Sequence, residues 1–493
     1  MAMDSSDSSD ARTRTAAGRV YDAIIVGAGV SGLLAAHALL ARRPGTSVLL
    51  VDAGLPLEQR RREATSGTGG YGGAGLFLGG RLYFGASSLP VTPPVTAPPE
   101  LRPVIDGDAF VRRATEVDAL LHELGARAEW QASPPQELAR AIEQAASVGL
   151  EYVTSYPSRR LSQEDKYVAL GALRDRLLAA GATFLFRAQV TDAGRDASTF
   201  SLSLRPSAGA DETDIPALMR ARTLLLAPGR YGAEWLRGMA QQLGAQMVAS
   251  PSTFGVRLEF PAVAYDRLTD VNPDPRLQRL TSGDALIKTY ATCPGGLVTP
   301  VNRYDTVVAS GTPILQRERR GPNTTVAILA QPGVQGASGE WAGGEDSARL
   351  LNARSPQRLI VQRLGDVRAG QATSAAALAA NSVRPTDQTA IPGALFDAYR
   401  PVYWRAFEDF LSRLDELAPG VRGDDTLVYG PAVERFWGFP TDDHMQTSTS
   451  GLFLAGDGAG QSQGIIQASV AGALAGEGMA RALDDLDDAA ARV

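Results

Sequence analysis

A strand, a glycine-rich turn and a helix follow one another near the start of the chain, and this feature constrains the fold most. Residues 21–26 form a short apolar run, and residues 33–42 carry helical periodicity. Between them Gly27, Gly29 and Gly32 stand in GxGxxG spacing. A second apolar strand ends at Asp52. The pattern predicts the first βαβ unit of a Rossmann-like α/β domain.

Each glycine of this turn has its own physical role. Gly27 permits a tight turn, Gly29 leaves room for a pyrophosphate beside the backbone, and Gly32 lets the helix pack on the strand. The unpaired amides at the helix N-terminus and their partial charge of roughly +0.5 suit a diphosphate. An acid at Asp52 can accept hydrogen bonds from a ribose. The predicted contacts of this Rossmann-like dinucleotide site are Gly27, Ala28, Gly29, Val30, Ser31, Gly32, Asp52 and Ala53.

A second strand-turn-helix pattern lies near the other end of the chain. Its turn is Gly456-Asp457-Gly458-Ala459-Gly460, and a long apolar helix begins at about Ile465. FAD, unlike NAD, needs such a second anchor. Asp457 would hold the ribityl and pyrophosphate region, and the amides around Gly464, Ile465 and Ile466 would stabilise negative charge at flavin N1 and O2. The predicted cofactor is FAD, and a strand-turn-helix unit without a ligand is the alternative.

Two further segments are expected to contact the cofactor. An apolar strand over 223–226 ends in a turn, where the chain would leave the FAD domain. Between 67 and 85, nine glycines alternate with large apolar residues, a composition typical of ordered backbone near a flat ligand. Tight backbone packing without a ligand is the alternative. The remaining predicted FAD contacts are Gly72, Gly73, Ala74, Gly75, Arg81, Val190, Ala227, Pro228 and Gly229.

Five segments resemble the signature blocks of a family usually described only as FAD-dependent dehydrogenases, whose chemistry is largely unassigned. The segments are 69–75, 255–259, 291–296, 362–366 and 456–460. The resemblance implies the two-dinucleotide-binding flavoprotein fold, related to glutathione reductase and to the flavoproteins that modify tRNA. The chain departs from the family's usual residues at 78–81 and 461–463. The resemblance therefore does not assign a substrate.

The position of these blocks predicts a discontinuous cofactor domain. The expected parts are a disordered arm (1–17), the FAD-binding domain (18–90, 151–240 and 446–493), a helical insert (91–150) and a mixed α+β substrate or cap domain (241–445).

Three side chains are the candidate catalytic groups. Cys293 could be a nucleophile or a hydrogen-bonding thiol near the flavin, with a buried structural thiol as the alternative. Lys288 could hold a carboxylate or perturb flavin N5, or be an ordinary exposed lysine. His444 could be a base near the flavin. Arg257 and Glu259 would share one strand face and form either an internal ion pair or a substrate clamp.

Composition narrows the classes of function. A net charge of -6 and a pI of about 5.4 give no electrostatic reason to bind nucleic acid or an anionic membrane. No run reaches the ~18 apolar residues of a membrane span, and the start lacks a signal-peptide pattern, so we expect a cytoplasmic protein. A single cysteine excludes an intramolecular disulfide, and three histidines without ligand spacing predict no metal site. The expected partner is a small-molecule substrate, and the sequence leaves the oligomeric state open.

The missing second GxGxxG motif bears on the reaction. Without a dedicated NADPH domain, the flavin would be reduced by the substrate, as in a dehydrogenase or oxidase. Reduction by a transiently docked pyridine nucleotide, as in a reductase or monooxygenase, is the alternative. A noncatalytic FAD-binding protein and a tRNA-modifying protein are alternatives of other classes, and the acidic pI argues against the second. The sequence predicts an FAD-dependent oxidoreductase that transfers hydride from a small organic substrate to flavin N5. Secondary metabolism is one pathway class in which such an enzyme could act.

Overall fold

The computed structural model describes residues 19–62, 69–77, 80–84, 107–127, 130–131, 133–153, 158–196, 199–207, 215–249, 252–282, 285–303, 306–314, 317–333, 341, 343–434, 437–460, 462 and 464–492. The expected arm over 1–17 and the proline-rich start of the expected insert lie outside these residues. So does the side chain of Arg81, whose backbone is described.

The elements are numbered in chain order. The strands are β1 (Val20–Val26), β2 (Val48–Val51), β3 (Arg81–Tyr83), β4 (Trp130–Gln131), β5 (Glu151–Val153), β6 (Ser158–Arg160), β7 (Thr183–Leu185), β8 (Ala188–Arg195), β9 (Phe200–Pro206), β10 (Leu218–Leu226), β11 (Val248–Ala249), β12 (Thr253–Pro261), β13 (Arg276–Leu280), β14 (Ala285–Cys293), β15 (Leu297–Arg303), β16 (Thr306–Thr312), β17 (Asn323–Pro332), β18 (Ile360–Arg363), β19 (Ile391–Pro392), β20 (Leu427–Glu434), β21 (Trp437–Gly438) and β22 (Leu452–Leu454). The helices are α1 (Val30–Arg42), α2 (Leu57–Arg62), α3 (Gly73–Phe77), α4 (Gly107–Glu123), α5 (Pro135–Ser147), α6 (Gln163–Ala179), α7 (Ala233–Gln242), α8 (Asp266–Val271), α9 (Gly344–Arg354), α10 (Leu364–Arg368), α11 (Ala375–Ala380), α12 (Pro401–Leu417) and α13 (Ile465–Ala490).

The first domain is built on a seven-stranded sheet of order β7-β2-β1-β10-β9-β8, with β22 also paired to β10. Strands β7, β2, β1, β10 and β22 are parallel, whereas β9 and β8 continue the sheet as an antiparallel pair. Alternate side chains of β1 enter two different cores, Ala23 and Ile25 on one side and Ile24 on the other. Burial on both sides explains why the strand is apolar throughout. The predicted Rossmann-like α/β fold is confirmed.

Helices α1 and α13 pack against each other on one side of this sheet, and glycines permit their close contact. A Cβ on Gly472 would lie 2.1 Å from the carbonyl oxygen of Ser31, and one on Gly476 would lie 2.2 Å from that of Ala35. The Ser31 hydroxyl donates a hydrogen bond to the carbonyl oxygen of Ala468 (2.8 Å). The packing fixes the N-termini of the two helices near each other, at the carboxyl ends of the parallel strands.

The second domain is built on an eight-stranded sheet of order β19-β18-β20-β12-β17-β14-β13-β5. One side is covered by α12, whose buried residues recur with helical spacing and join the core of the sheet. The other side is divided in two. Hairpin β15–β16 covers one part of it, and the remainder faces the first domain.

The described part of the expected insert is shared between the two domains. Helix α4 buries Phe110, Ala114 and Val117 in the core of α1 and α13, whereas α5 buries Ala141 and Ala145 in the core of the second sheet. Each helix has one narrow apolar face and buries it on the nearest large core. Strand β5 likewise pairs with β13, so the second domain takes residues that we expected in the FAD domain.

Two global features of the described residues bear on function. None of their helices is both long enough and apolar enough to cross a bilayer. The same residues contain no group of three His, Cys, Asp or Glu side chains that could hold a metal ion.

Candidate functional site

The N-termini of α1 and α13 converge on α3. A Cβ on Gly75 would lie 3.1 Å from Cγ1 of Val30 and 3.9 Å from Cγ1 of Ile465. The N-cap residues Gly29 and Gly464 provide no side-chain cap, and neither helix has an acidic residue in its first turn. The free amides and positive dipole ends of two helices of 13 and 26 residues therefore meet in one region.

The first glycine turn has the geometry that its sequence predicts. Gly27 has φ +108°, and a Cβ there would lie 2.2 Å from the carbonyl oxygen of Ala227. A Cβ on Gly32 would lie 1.9 Å from the carbonyl oxygen of Gly27. At Gly29, by contrast, the nearest atom to a Cβ is the Cα of Gly73, at 3.9 Å. The outer glycines are thus required by packing, whereas Gly29 keeps a space open in front of the helix.

Asp52 follows β2 and lies beside this turn. Its carboxylate accepts hydrogen bonds from the backbone amides of Ala28 (2.8 Å) and Gly54 (2.8 Å), and Ala53 is exposed next to it. Burial raises the pKa of Asp52, although the two amides act in the opposite direction. Because a carboxylate offers about four acceptor positions, it retains capacity for ligand hydroxyls.

A buried arginine that the sequence analysis did not identify supports the segment 69–77. Arg60 is fully buried, and its Nη1 donates to the carbonyl oxygens of Gly70 (3.1 Å), Tyr71 (2.5 Å) and Gly73 (3.2 Å). Burial lowers the pKa of Arg60 to about 10, so the guanidinium stays charged at neutral pH. The backbone amide of Gly72 also donates to Ala28, which joins the segment to the first turn (2.8 Å).

Two more turns complete this region. A Cβ on Gly456 would lie 2.7 Å from Oγ of Ser31, and one on Gly458 would lie 2.5 Å from the carbonyl oxygen of Gly229. Gly229 itself has φ +70°, and a Cβ there would meet no atom within 4 Å. Asp457 accepts a hydrogen bond from Oγ of Ser462 (2.8 Å), and burial raises its pKa. All three turns expected to contact the cofactor are thus brought together.

The second domain presents a face with both polar and apolar side chains towards these turns. Alternate residues of its central strands point away from the α12 side, and Lys288 pairs with Leu329 while Tyr290 pairs with Ala327. Tyr290 packs on a small cluster that includes Ala432. We call this surface the inner face, and its members are Arg276, Lys288, Tyr290, Ala327, Leu329, Gln331, Ala432 and Glu434.

Arg230 connects the inner face to the first domain. It follows the turn after β10, and its Nη1 lies 3.4 Å from Oε2 of Glu434, while its Nη2 lies 3.9 Å from Oδ2 of Asp457. Interactions with Tyr290 and Glu434 hold the pKa of Arg230 well above its usual value. Arg230 could have been identified from the sequence, because it directly follows the predicted turn. The residues around Glu434 give no sign that it pairs with Arg230.

Lys288 lies on the inner face and is half-buried. Its Nζ donates a hydrogen bond to Oε1 of Gln331 (2.6 Å). Burial and the nearby Arg276 lower the pKa of Lys288 to about 8, and Glu434 acts in the opposite direction. Arg276 in turn lies over the ring of Tyr83, with 5.8 Å between its Cζ and the ring centroid. The structure thus brings Lys288 to the side of the sheet that faces the turns.

Cys293 lies in a different environment, beneath hairpin β15–β16. It is buried, its Sγ is 3.3 Å from Nη2 of Arg257, and burial raises its pKa. Arg257 also donates to Oγ1 of Thr325 (2.7 Å). The carboxylate of Glu259 instead accepts from the hydroxyl of Tyr429 (2.6 Å). These contacts match the structural alternative for the thiol, and Arg257 and Glu259 use different hydrogen-bond partners.

Two other predicted site residues are placed away from the converging turns. A Cβ on Gly478 would lie 2.6 Å from the carbonyl oxygen of His444. Gly478 is about 20 Å along α13 from its N-terminus, so His444 lies beside the distal part of that helix. The side chain of Val190 is buried in the core, and its carbonyl oxygen accepts a hydrogen bond from Nε1 of Trp235 (2.9 Å). Strand pairing and helix packing, which the local sequence does not reveal, decide both positions.

No protein-family model matches the chain, and no curated protein is significantly similar to it in sequence. Solved structures align over most of its length. Glycine oxidase from Geobacillus kaustophilus is 15% identical, with 94% of this chain and 95% of that chain covered and a TM-score of 0.37. The 3-ketosteroid-Δ4-(5α)-dehydrogenase from Rhodococcus jostii RHA1, in complex with 4-androstene-3,17-dione, is 14% identical, with 95% and 99% covered and a TM-score of 0.41. CtdE in complex with FAD and a substrate is 11% identical, with 94% and 84% covered and a TM-score of 0.35. Similarity at these identities and TM-scores does not assign a function to this chain.

Proposed function

We propose that this protein binds FAD and is an oxidoreductase that dehydrogenates or oxidises a small organic substrate at the inner face. The observation that carries the proposal is the convergence of two uncapped helix N-termini around the glycine segment 69–77. The nearest Cβ contact at Gly29 (3.9 Å) and the empty surroundings of Gly229 leave the backbone accessible on this side. These residues fit an elongated ligand with a diphosphate at its centre.

The order of these groups supports FAD rather than a smaller nucleotide. Asp52 would accept hydrogen bonds from the adenosine ribose, and the amides of α1 would bind the pyrophosphate. Asp457 would hold the ribityl and pyrophosphate region. The amides at the start of α13 would lie at the flavin pyrimidine and stabilise negative charge there. Each end of the expected cofactor therefore has its own anchor.

The inner face supplies the groups that a substrate would meet. Bound FAD would supply a two-electron acceptor. Arg230 lies between the carboxylates of Glu434 and Asp457 and links the two domains, which would help to preorganise the site. Lys288 and Tyr290 can donate hydrogen bonds to a polar substrate, and the apolar side chains of Leu329 and Ala327 can exclude water from its other parts. The role of these residues would be to orient a substrate carbon towards the cofactor.

The test is visible absorption of the purified protein under anaerobic conditions. We expect flavin bands from protein-bound FAD that remain oxidised when NADPH or NADH is added, because no second dinucleotide motif is present. Rapid bleaching by either nucleotide would favour a reductase or monooxygenase instead. The proposal would be refuted if gently purified protein contained no flavin in repeated preparations and did not bind added FAD.

A further inference from the structure

We propose that Lys288 forms, with Tyr290, an anion subsite on the inner face that binds the carboxylate of an organic acid substrate. This inference deepens the proposed function and rests on it. It names the chemical class of the substrate and the residue that selects it.

The charges around Lys288 support the subsite. Arg230 faces the carboxylates of Glu434 and Asp457 at 3.4 and 3.9 Å. Arg276 lies 3.8 Å from the carboxylate of Asp274. Lys288 differs from these two arginines in its partner. Among the described residues, its hydrogen-bond partner is the neutral amide oxygen of Gln331 and not a carboxylate.

An ammonium group has three N–H donors, and Gln331 occupies one of them. The side chain is half-buried and projects from β14 on the same side as Tyr290. Buried charges normally have a partner of opposite sign, because desolvation without one is costly. Glu434 interacts electrostatically with Lys288, and a ligand carboxylate would add a directly hydrogen-bonded opposite charge and acceptors for the remaining N–H donors.

The protonation state favours an anion subsite over a proton acceptor. The pKa of Lys288 is lowered to about 8, which leaves the amine about 90% protonated at neutral pH. Arg276 repels the Lys288 ammonium and contributes to its lowered pKa, and Glu434 raises that pKa. A bound anion would likewise offset the repulsion from Arg276. The ammonium would therefore be present when the substrate arrives and would be stabilised by it.

Benzoate is a suitable probe, with benzamide as its uncharged counterpart. Binding to the purified holoprotein is followed by the change in flavin absorption and, independently, by calorimetry. The variants are Lys288→Met, which removes the charge at nearly constant length, and Lys288→Arg, which keeps it. Arg317→Met is the matched control, because it removes one positive charge from a side chain that is 80% exposed and pairs with Asp270.

We expect benzoate to bind the wild type and Arg317→Met equally, and to bind Lys288→Met at least about tenfold more weakly. Lys288→Arg should retain most of the affinity. Above about pH 8 the dissociation constant of the wild type should rise up to tenfold per pH unit, and that of Lys288→Arg should not.

Equal binding of benzoate and benzamide, equal affinity in Lys288→Met and the wild type, or no binding by either method would overturn the inference. Failure of the proposed function has a different signature. In that case the protein would carry no flavin absorption, whereas calorimetry would still report whether benzoate binds and whether Lys288 is needed.

Discussion

Replacing Gly472 by alanine in the middle of α13 probes the contact that positions both helix N-termini. Alanine would ordinarily stabilise a helix interior relative to glycine, by about 0.5–1 kcal/mol. Here the new Cβ would lie 2.1 Å from the carbonyl oxygen of Ser31 and 2.7 Å from its carbonyl carbon, where 3.4 Å is ordinary contact. Because both atoms belong to the backbone of α1, the helices must separate by roughly 1 Å.

The expected cost follows from this overlap. Overpacking of this kind costs about 1–3 kcal/mol, and the gain in helix propensity offsets only part of it. We therefore expect a net loss of about 1–2 kcal/mol. Displacement of Ser31 would also move the N-terminus of α1, so FAD should bind more weakly to this variant.

Gly238→Ala is the matched control. Gly238 also lies inside a helix, α7, but a Cβ there would meet no atom within 4 Å. The same substitution should therefore stabilise the protein at Gly238 and destabilise it at Gly472. Thermal unfolding followed by circular dichroism, with and without FAD, measures both effects. A higher unfolding temperature for Gly472→Ala would refute the close packing of α1 on α13.

Three further substitutions test other parts of the site. Asp52→Asn should weaken FAD binding at least about tenfold, measured by the fluorescence of released flavin, because a charged acceptor for the ribose is lost; unchanged affinity would contradict the placement of the ribose. Arg60→Met should destabilise the protein by roughly 3 kcal/mol and expose residues 69–77 to proteolysis, because three carbonyl oxygens each lose the hydrogen bond from Arg60; a protease-resistant variant of normal stability would show that Arg60 does not hold the segment. Lys288→Met should stabilise the flavin-free protein by about 1–3 kcal/mol at neutral pH, because the folded state disfavours the ammonium. The pKa of Lys288 is about 8 in the folded protein and 10.5 in the unfolded protein, so the unfolded state binds more protons between these two values. The wild type therefore gains stability as the pH rises through this range. The difference in stability between the wild type and Lys288→Met should shrink accordingly. A pH-independent difference in urea midpoints would contradict the lowered pKa.

Local patterns in the sequence predicted the strands, glycine turns and helices around the two turns correctly. Strand β1, its glycine turn, α1 and β2 follow the predicted order, and α13 begins at Ile465 as expected. The close contacts at Gly27 and Gly32 also agree with the roles predicted for these glycines. Such features are predictable because helical periodicity, turn conformation and the burial of a central strand depend on neighbouring residues.

Local patterns did not reveal which charged residues are buried. Helix α2 contains three arginines in succession, and its sequence gives no sign that Arg60 is fully buried. The sequence also did not show that α4 packs on one core and α5 on another. The apolar face of an amphipathic helix does not specify which core it will cover.

The sequence by itself determined the two helix N-termini, their glycine turns and the acids at Asp52 and Asp457. Only the tertiary structure decided which polar side chains face them. Lys288 and Glu434 come from distant strands, β14 and β20, that share one sheet, whereas His444 is close in sequence to the second turn and lies far along α13. The physical reason is that a strand's sequence specifies its two faces, but the pairing of strands and the packing of domains specify what each face meets.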